Sequence, residues 1–340
     1  MERYLEIKKA FHDFGFAKTP NTETKIYLRN NPDSQFYKTL SNILDTCLNE
    51  GTQASFLLAA MLTSMMKSRD EAIPLFEKSC NMKSDFIRKF ALDLGAYTYS
   101  KPSGAFESYD GATFVQDSYN NSKFLILISL DSNFLRCYGP QLFVLANVLR
   151  DYHFHFHVVG KDVIKLIHQS LELINDIKRF READSFNTSF SMQEVPRFVA
   201  SVKTFYACAR YIVAEQVMDY YKKDVYIMDA DLYFEDDPSS FFESIGDASI
   251  SFTITLGVRG IVPWRRFMAG NVYLRNNEET RRFLRHVVYY MNAYLHKEIS
   301  WMLDQNALTY GYEVSNDVTF GTYKNRPTKQ FPINSLFEKR

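Results

Sequence analysis

A short apolar run that ends in two aspartates is the feature that most constrains the fold of this chain. Residues 225–228, Val-Tyr-Ile-Met, are β-prone throughout, which is typical of a strand buried on both faces of a sheet. Asp229 and Asp231 follow where this strand should end. Because side chains alternate in direction along an extended segment, the two carboxylates are expected to point to the same side. They would then lie at the carboxyl edge of the sheet, where α/β folds bind their ligands.

The Asp-x-Asp motif could also be purely structural, and these residues alone do not decide between the two interpretations. Aspartate begins turns and caps helices, and Asp237-Pro238 is typical of an N-cap followed by proline at the first helical position. The surrounding segments are therefore needed to interpret the pair.

The second part of the chain alternates between strand-like and helix-like segments, which indicates a sheet covered by helices on both faces. Strands are predicted at 124–130, 152–159, 225–228, 248–256 and 267–274, and helices at 141–150, 163–177, 197–221 and 278–296. The first part has helical spacing instead, with helices predicted at 53–66, after Ser68 and at 85–98. We expect an all-α helical domain over 1–118 and an α/β domain over 119–340.

Charge and cysteine usage exclude several classes of protein. The 40 basic residues balance the 40 acidic ones, so no overall attraction to nucleic acid or to an anionic membrane is expected. No apolar run is long enough to span a bilayer, and the first residues lack the apolar core of a signal peptide. The cysteines at 47, 80, 137 and 208 are too widely spaced for the usual zinc or redox motifs. We expect them to be reduced in a cytoplasmic protein.

The helical part contains one repeat-like segment. Residues 92–97, Leu-Asp-Leu-Gly-Ala-Tyr, loosely resemble a tetratricopeptide-type repeat. Only one repeat unit can be recognised in the sequence. Because repeat arrays need several units to bury a continuous core, a plain helical domain is an equal alternative. By either interpretation this domain is a candidate surface for a protein partner or for self-association.

Several weak motifs occur in an order that resembles a known family. These are Asp229-Ala230-Asp231 after a strand, an Ala-Gly-Asn turn at 269–271, an amphipathic helix at 278–296, and the segment 301–308, Trp-Met-Leu-Asp-Gln-Asn-Ala-Leu. Together they resemble the nucleotide-sugar glycosyltransferases of the GT-A fold, in particular the branch with glycogenin and the bacterial lipopolysaccharide galactosyltransferases. The resemblance implies a GT-A-like, Rossmann-type mixed sheet with helices on both faces. It also implies a hexosyltransferase that moves a sugar from a nucleotide diphosphate sugar to a carbohydrate or protein acceptor.

The resemblance implies a metal role for the aspartate pair and a donor-binding role for a basic residue. Asp229 and Asp231 would bind Mn²⁺ or Mg²⁺, and Asp229 would also contact the donor ribose. Such an ion would neutralise the departing diphosphate, and carboxylate oxygens suit it better than they suit zinc. Arg210, on the helix before the central strand, would contact the donor phosphate or sugar, since a guanidinium forms a planar fork of donors.

The remaining implied site residues follow the first strand, the Ala-Gly-Asn turn and the last motif. Asp131 and Asn133 would hold the nucleoside base. The resemblance places Gly270 and Asn271 against the donor sugar, because a glycine lets a ligand approach the backbone. Two further residues match the Asp-Gln pair that faces the donor sugar in the family. They are Asp304 and Gln305, whose side chains can both reach the sugar only at a helix end.

The positions of the histidines bear on two possible metal sites, a zinc site in the sheet and the site at the aspartate pair. His153, His155 and His157 alternate along one predicted strand and would share a face, which permits zinc binding but favours a structural role in the sheet. The lipopolysaccharide branch takes a third metal ligand from a C-terminal histidine, yet no histidine follows His296. Water or another oxygen ligand, such as Asp317, would have to act as the third ligand of the metal ion.

Two alternatives to an active glycosyltransferase remain from the sequence. A phosphohydrolase also ends a strand in Asp-x-Asp, with the first aspartate as nucleophile, but usually has Thr or Val where Tyr233 stands. A helical-repeat adaptor with an inactive transferase domain would explain the missing histidine.

Overall fold

A computed structural model describes residues 2–82, 94–103, 111–116, 122, 124–180 and 187–331. The first part is helical, with α1 (Glu2–Asp13), α2 (Asn21–Asn30), α3 (Gln35–Glu50), α4 (Gln53–Met66) and α5 (Arg69–Asn81). Ser34, Thr52 and Ser68 cap α3, α4 and α5, each by accepting a hydrogen bond from the backbone N–H three residues later. Helix α4 is buried on nearly all sides, as its apolar composition predicts.

The second part is built on a mixed sheet. Its strands are β1 (Thr113–Gln116), β2 (Phe124–Asp131), β3 (Tyr152–Val159), β4 (Thr188–Gln193), β5 (Val225–Met228), β7 (Ile250–Ile254), β8 (Phe267–Leu274) and β9 (Phe320–Tyr323). They lie in the order β1-β4-β3-β2-β5-β8-β7-β9. Strands β4, β3, β2 and β5 are mutually parallel, whereas β8 runs antiparallel to both β5 and β7. Two further strands, β6 (Leu232–Phe234) and β10 (Thr328–Gln330), form a separate antiparallel pair.

Helices cover both faces of the sheet. They are α6 (Ser132–Val148), α7 (Ile164–Phe180), α8 (Val202–Tyr221), α9 (Ser239–Ser244), α10 (Glu278–Tyr294) and α11 (Leu303–Val314). Leu125 and Leu127 of β2 pack in one core with α8, α10 and α11, while Ile126 and Ile128 pack in another with α6, α7 and α9. The predicted α/β fold, a Rossmann-type mixed sheet preceded by a helical part, is therefore confirmed. None of the helices that the structure describes is long and apolar enough to cross a membrane.

Some predicted elements differ from the observed ones. Helix α6 begins at Ser132 instead of residue 141, because Asp131 caps it and the helix continues through Gly139 and Pro140. Strand β4 was not predicted, and neither were β9 and β10 in the segment after Tyr310, which has little regular pattern.

The predicted domain boundary after residue 118 lies outside the described residues, as does the connection at 117–121. Strand β1, which precedes it, already belongs to the α/β sheet through its antiparallel pairing with β4. The helix predicted at 85–98 and the repeat-like segment 92–97 lie partly outside the described residues. Within them, Leu94–Thr98 forms a 3-10 helix.

The two parts share one hydrophobic core. Between β7 and β8 the chain forms two short 3-10 helices, Gly257–Ile261 and Pro263–Arg265. Ile261 and Trp264 of these helices, and Val262 between them, are buried in one cluster with residues of α1 to α5. A Cβ at Gly95 would collide with the Trp264 indole, so glycine is needed at this contact. A segment of the α/β part thus completes the core of the helical part.

The three histidines of β3 lie in a buried hydrogen-bonded chain with two serines of β4. Ser189 Oγ is 2.6 Å from His153 Nε2 and 2.7 Å from His155 Nδ1. Ser191 Oγ is 2.8 Å from His155 Nε2 and 2.9 Å from His157 Nδ1. Burial lowers the pKa of His153 to about 3 and that of His157 to about 4, and it lowers the pKa of His155 well below its ordinary value. The histidines are therefore neutral parts of the sheet.

Candidate active site

The aspartate pair lies where two clefts meet. Strand β5 ends at Met228, and Asp229 and Asp231 occupy the turn before β6, where the Leu232 N–H donates to the Asp229 carbonyl at 3.1 Å. The pair is on a turn and not on the strand itself. Both residues nevertheless line a cleft of about 600 Å³ on one side and a cleft of about 320 Å³ on the other.

The larger cleft has aromatic walls. It extends from the end of β2, at Asp131, to the loop before α11. Its aromatic lining residues are Phe134, Tyr206 and Trp301. The Lys203 ammonium lies 4.4 Å from the centre of the Trp301 ring, so a cation is already stacked on this wall. Such a cleft suits a planar base attached to a charged group.

The smaller cleft is bordered by β8 and carries several positive charges. Residues 269–271 of β8 form part of its wall. Its cationic lining residues, apart from Arg210, are Arg259, Arg265 and Arg326, and Gln330 of β10 lies beside them. Apart from Asp229 and Asp231, no carboxylate among its described lining residues balances these charges. The cleft is therefore suited to an anionic or hydroxyl-rich ligand.

Arg210 connects the aspartate pair to helix α11. Its guanidinium, 8% exposed, pairs with Asp229 and donates from Nη2 to Asp304 Oδ2 at 2.9 Å. Burial opposes the charge of Arg210, but Asp229 and Asp304 more than offset it, so its pKa is raised. Burial also raises the pKa of Asp304, against the effect of Arg210. One buried guanidinium thus fixes two carboxylates from different elements in one position.

Asp304 and Gln305 lie in the first turn of α11, at the helix end where both side chains can face one ligand. Met302, with a left-handed φ of 70°, directly precedes this helix. The Gln305 N–H donates to Asp304 Oδ1 at 2.9 Å, which orients that carboxylate. Gln305 lines both clefts, as does Met302.

The C-terminal strand β10 brings another residue to the pair. Gln330 Nε2 donates to Asp231 Oδ2 at 2.9 Å, and the Phe331 N–H donates to the Asp231 carbonyl at 2.8 Å. The backbone and the side chain of Asp231 are therefore both held by this segment.

Gly270 and Asn271 have structural roles that the sequence did not indicate. A Cβ at Gly270 would collide with the carboxylate of Asp229, so it is this aspartate that requires the missing side chain. Asn271 is buried, and its Oδ1 accepts hydrogen bonds from the hydroxyls of Tyr226 at 2.8 Å and Thr328 at 2.6 Å. Its amide oxygen thus ties β5 and β8 to β10.

Of the remaining predicted site residues, Asp131 lies in a cleft, whereas Asn133 and Asp317 do not. Asp131 lines the larger cleft, and its Oδ1 also accepts from the Phe134 N–H at 2.8 Å as the cap of α6. Asn133 is exposed on the first turn of α6 and lines neither cleft. Asp317 is paired with Arg282 at 2.9 Å and also lies outside both clefts.

The residues at the pair fit a hard divalent cation only in part. Two carboxylates are the usual protein contribution to an Mg²⁺ site that is completed by substrate phosphates and water. Among the residues that the structure describes, no group of three or more His, Cys, Asp or Glu side chains is placed to hold a metal. An ion here would therefore depend on the ligand for much of its coordination.

Several residues of the clefts were not predicted from the sequence. They are Phe134, Lys203, Tyr206, Arg259, Arg265, Trp301, Met302, Arg326 and Gln330. They come from loops and elements far apart in the chain, and apart from Trp301 and Met302 none belongs to a local motif. Trp301 and Met302 open the segment 301–308 that contains Asp304 and Gln305, but no role was predicted for either.

No protein-family model and no curated protein matches this chain. Solved structures similar to it include WbbM, a bifunctional glycosyltransferase, with 13% identity over 61% of this chain and 40% of that one and a TM-score of 0.42. GlyE, a glycosyltransferase of Streptococcus pneumoniae TIGR4, has 16% identity over 60% of this chain and 45% of its own, with a TM-score of 0.36. The galactosyltransferase LgtC, solved with donor and acceptor sugar analogs, has 14% identity over 58% of this chain and 73% of its own, with a TM-score of 0.35. The matched region thus spans less than half the length of the first two proteins.

Proposed function

We propose that this chain is a metal-dependent glycosyltransferase that moves a hexose from a nucleotide diphosphate sugar to a carbohydrate or protein acceptor. The observation that carries the proposal is the meeting of two clefts at one charged centre. Arg210, Asp229, Asp231 and Gln305 line both clefts. A group transfer between two substrates requires such a place, because the reacting atoms must be held in contact.

The larger cleft is the better candidate for the donor. Its aromatic walls offer stacking surfaces for a base, and its volume of about 600 Å³ is within the range of small-ligand pockets. Asp131, at the end of β2, also lines this cleft, and a hydrogen-bond acceptor there would orient the base. The diphosphate would then lie near Asp229 and Asp231, and the sugar near Asp304 and Gln305.

Asp229 and Asp231 would hold the divalent ion, Mn²⁺ or Mg²⁺. When bound, such an ion supplies Lewis-acid stabilisation of the departing diphosphate. The chain's own residues prepare this position: Arg210 orients Asp229, Gln330 orients Asp231, and Gly270 leaves room for the Asp229 carboxylate. Asp304 and Gln305 would orient the donor sugar, and the smaller cleft would receive the acceptor.

The phosphohydrolase alternative is less well supported. It requires the first aspartate, Asp229, as a nucleophile with one oxygen directed at a phosphorus atom. Here the Asp229 carboxylate is paired with Arg210 and packed over Gly270. A paired carboxylate is a poor nucleophile, because its charge is already stabilised. We also propose a cytoplasmic location, since all four cysteines are unpaired.

The test is thermal stabilisation by nucleotides. UDP, GDP, CDP and TDP are each added with and without Mn²⁺ to the native chain, to Asp231→Asn and to the control Asp236→Asn, an exposed carboxylate outside both clefts. A ligand at about 100 times its Kd should stabilise the folded state by roughly 2.7 kcal/mol. We expect one nucleotide to do so with Mn²⁺ in the native chain and in the control, but not in Asp231→Asn.

Two results would count against the proposal. Absence of stabilisation by all four nucleotides favours the inactive adaptor. If a nucleotide with Mn²⁺ stabilises Asp231→Asn as much as it stabilises the native chain, the aspartate pair is not the metal and nucleotide site. A positive result is followed by measuring release of the nucleoside diphosphate from its sugar conjugates, which identifies the donor.

A further inference from the structure

A third pocket lies between the helical part and the α/β part, away from both clefts. It has a volume of about 770 Å³ and is bordered by α2, α5, the start of β8 and α11. None of the residues that line it lines either cleft. Its charged lining residues are Lys25, Arg29, Arg69, Arg266 and Glu313, with Lys101 and Asp70 paired at 2.7 Å on its exposed rim.

Glu313 is the only carboxylate that faces the inner cations among the lining residues. Its Oε1 lies 3.1 Å from Lys25 Nζ and 3.7 Å from Arg266 Nη1, and its Oε2 lies 3.1 Å from Arg69 Nη1. Burial opposes ionisation of Glu313, but these cations lower its pKa, so it is charged. With Arg29 as a fourth cation, one carboxylate leaves three positive charges unbalanced in the lining of this pocket.

Arg266 has the least satisfied of these charges. Its side chain is 9% exposed, and none of its N–H groups donates a hydrogen bond to any residue in the described part of the chain. Its contacts are the ion pair with Glu313 at 3.7 Å and the face of the Tyr312 ring, whose centre is 4.4 Å away. Its Nε is fully buried without a partner, and burial lowers the pKa of Arg266, so the protein replaces the lost hydration of this charge only in part.

The neighbouring cations Arg69 and Lys25 differ in how well the protein compensates their charge. Arg69 Nη2 donates to the Ser100 carbonyl at 3.2 Å and to the Tyr290 hydroxyl at 2.8 Å, yet its Nε has no partner in the described residues. Burial lowers the pKa of Lys25 to about 8; Glu313 opposes this shift, and Arg266 and Arg29 add to it. Burial opposes the charge of Arg69 as well, but Tyr290, Tyr99 and Glu313 outweigh it and raise its pKa. The cations Lys25 and Arg266 are therefore the ones whose charge the protein compensates least.

We propose that this pocket binds a phosphate-bearing small molecule with at least two negative charges. Guanidinium groups match phosphate oxygens in geometry, and the Nη groups of Arg266 and Arg29, which line the pocket, would donate to it. Its place between α2 and α5 on one side and α11 on the other makes the ligand a link between the two parts of the protein. Helix α11 carries Glu313, which lines this pocket, and also Asp304, which lines the candidate active site. The site does not depend on the proposed transferase activity, because it shares no residue with it.

The test is calorimetric titration of the full chain at low ionic strength, with EDTA to exclude metal-dependent binding at the aspartate pair. Pyrophosphate, inorganic phosphate and glucose 6-phosphate are the probes. We expect at least one to bind, and Arg29→Gln to weaken that binding about tenfold or more, since it removes one charged hydrogen-bond partner. Arg29 is exposed, so this variant should keep its fold. The matched control is Arg285→Gln, a side chain that is 57% exposed and outside this pocket.

A second variant, Arg266→Gln, should abolish binding, with its folded state checked by circular dichroism. Preference for glucose 6-phosphate over the inorganic anions identifies a sugar phosphate as the ligand, and the reverse preference identifies a free anion. No binding of any probe, or binding that Arg29→Gln leaves unchanged, overturns the proposal and leaves the pocket as an ion-pair contact between the two parts.

Discussion

The buried histidines of β3 should make the protein unstable in mild acid. In the folded state His153, His155 and His157 are neutral, because burial holds their pKa values far below the ordinary 6.5. Unfolding exposes them to water, where they take up protons below about pH 6.5. The unfolded state therefore binds more protons than the folded state, and stability must fall as the pH falls. This contribution is complete above about pH 6.5 and is lost progressively below it.

The size of the effect follows from linkage. At about pH 5 an unfolded histidine is about 1.5 pH units below its pKa, which is worth about 2 kcal/mol at 1.36 kcal/mol per unit. The folded values of about 3 and about 4 for His153 and His157 lie well below that pH, so neither is protonated in the fold. Three histidines together give a loss of about 6 kcal/mol between about pH 8 and about pH 5. Total stabilities of about 5–15 kcal/mol make this a large fraction.

Urea unfolding at several pH values measures the loss directly. The free energy of unfolding should fall by several kcal/mol across this range, with an uptake of close to three protons on unfolding near pH 5. In His155→Gln about one third of the loss should disappear, whereas His12→Gln, at a side chain that is 83% exposed, should behave like the native chain. A stability that changes by less than about 1 kcal/mol between about pH 8 and about pH 5 would refute the reasoning.

Three further outcomes follow from contacts in the structure. Trp264→Ala should cost about 3–5 kcal/mol in urea unfolding, because the indole is fully buried between the two parts; a cost below about 1 kcal/mol would show that the contact is dispensable. Gly270→Ala should displace the Asp229 carboxylate and abolish Mn²⁺-dependent nucleotide binding, as followed by calorimetry; native affinity in this variant would contradict the observed packing. Asp304→Asn should lower transfer activity about 100-fold or more while nucleotide affinity changes little, since it removes a charge that we propose orients the donor sugar; an equal loss of activity and of nucleotide affinity would assign Asp304 to nucleotide binding instead.

Strands with a strong local pattern were predicted well. The predicted bounds 152–159 and 267–274 are those observed for β3 and β8, and both strands are buried along almost their whole length. Aromatic residues alternate with histidines in β3, whereas the pattern of β8 is interrupted by Gly270. Strand β4 was missed for the opposite reason. Its serines are explained by hydrogen bonds to the histidines of β3, and such a partner on another strand leaves no trace in the local sequence.

The residues of the candidate site that could be predicted are those that belong to recognisable motifs or match the family resemblance. Asp229, Asp231, Arg210, Asp304 and Gln305 were expected from the order of short motifs, and the structure brings all five together. The cations of the smaller cleft and Gln330 were not expected. They come from the segment between β7 and β8, from the loop before β10 and from β10 itself, and only the tertiary fold brings these segments beside the aspartates.

The core shared by the two parts bears on how such a protein can evolve. Ile261, Val262 and Trp264 extend from the α/β part between β7 and β8. They complete a core that is made otherwise by helices α1 to α5 together with Ala96 and Tyr99. Recombination at the connection between the parts would separate these side chains from the helices that cover them. A new helical module would need a cavity that fits the Trp264 indole. A new α/β part would need side chains equivalent to Ile261, Val262 and Trp264 to fill that cavity. We therefore expect the two parts to be inherited together, with insertions and exchanges tolerated in surface loops and not at the junction.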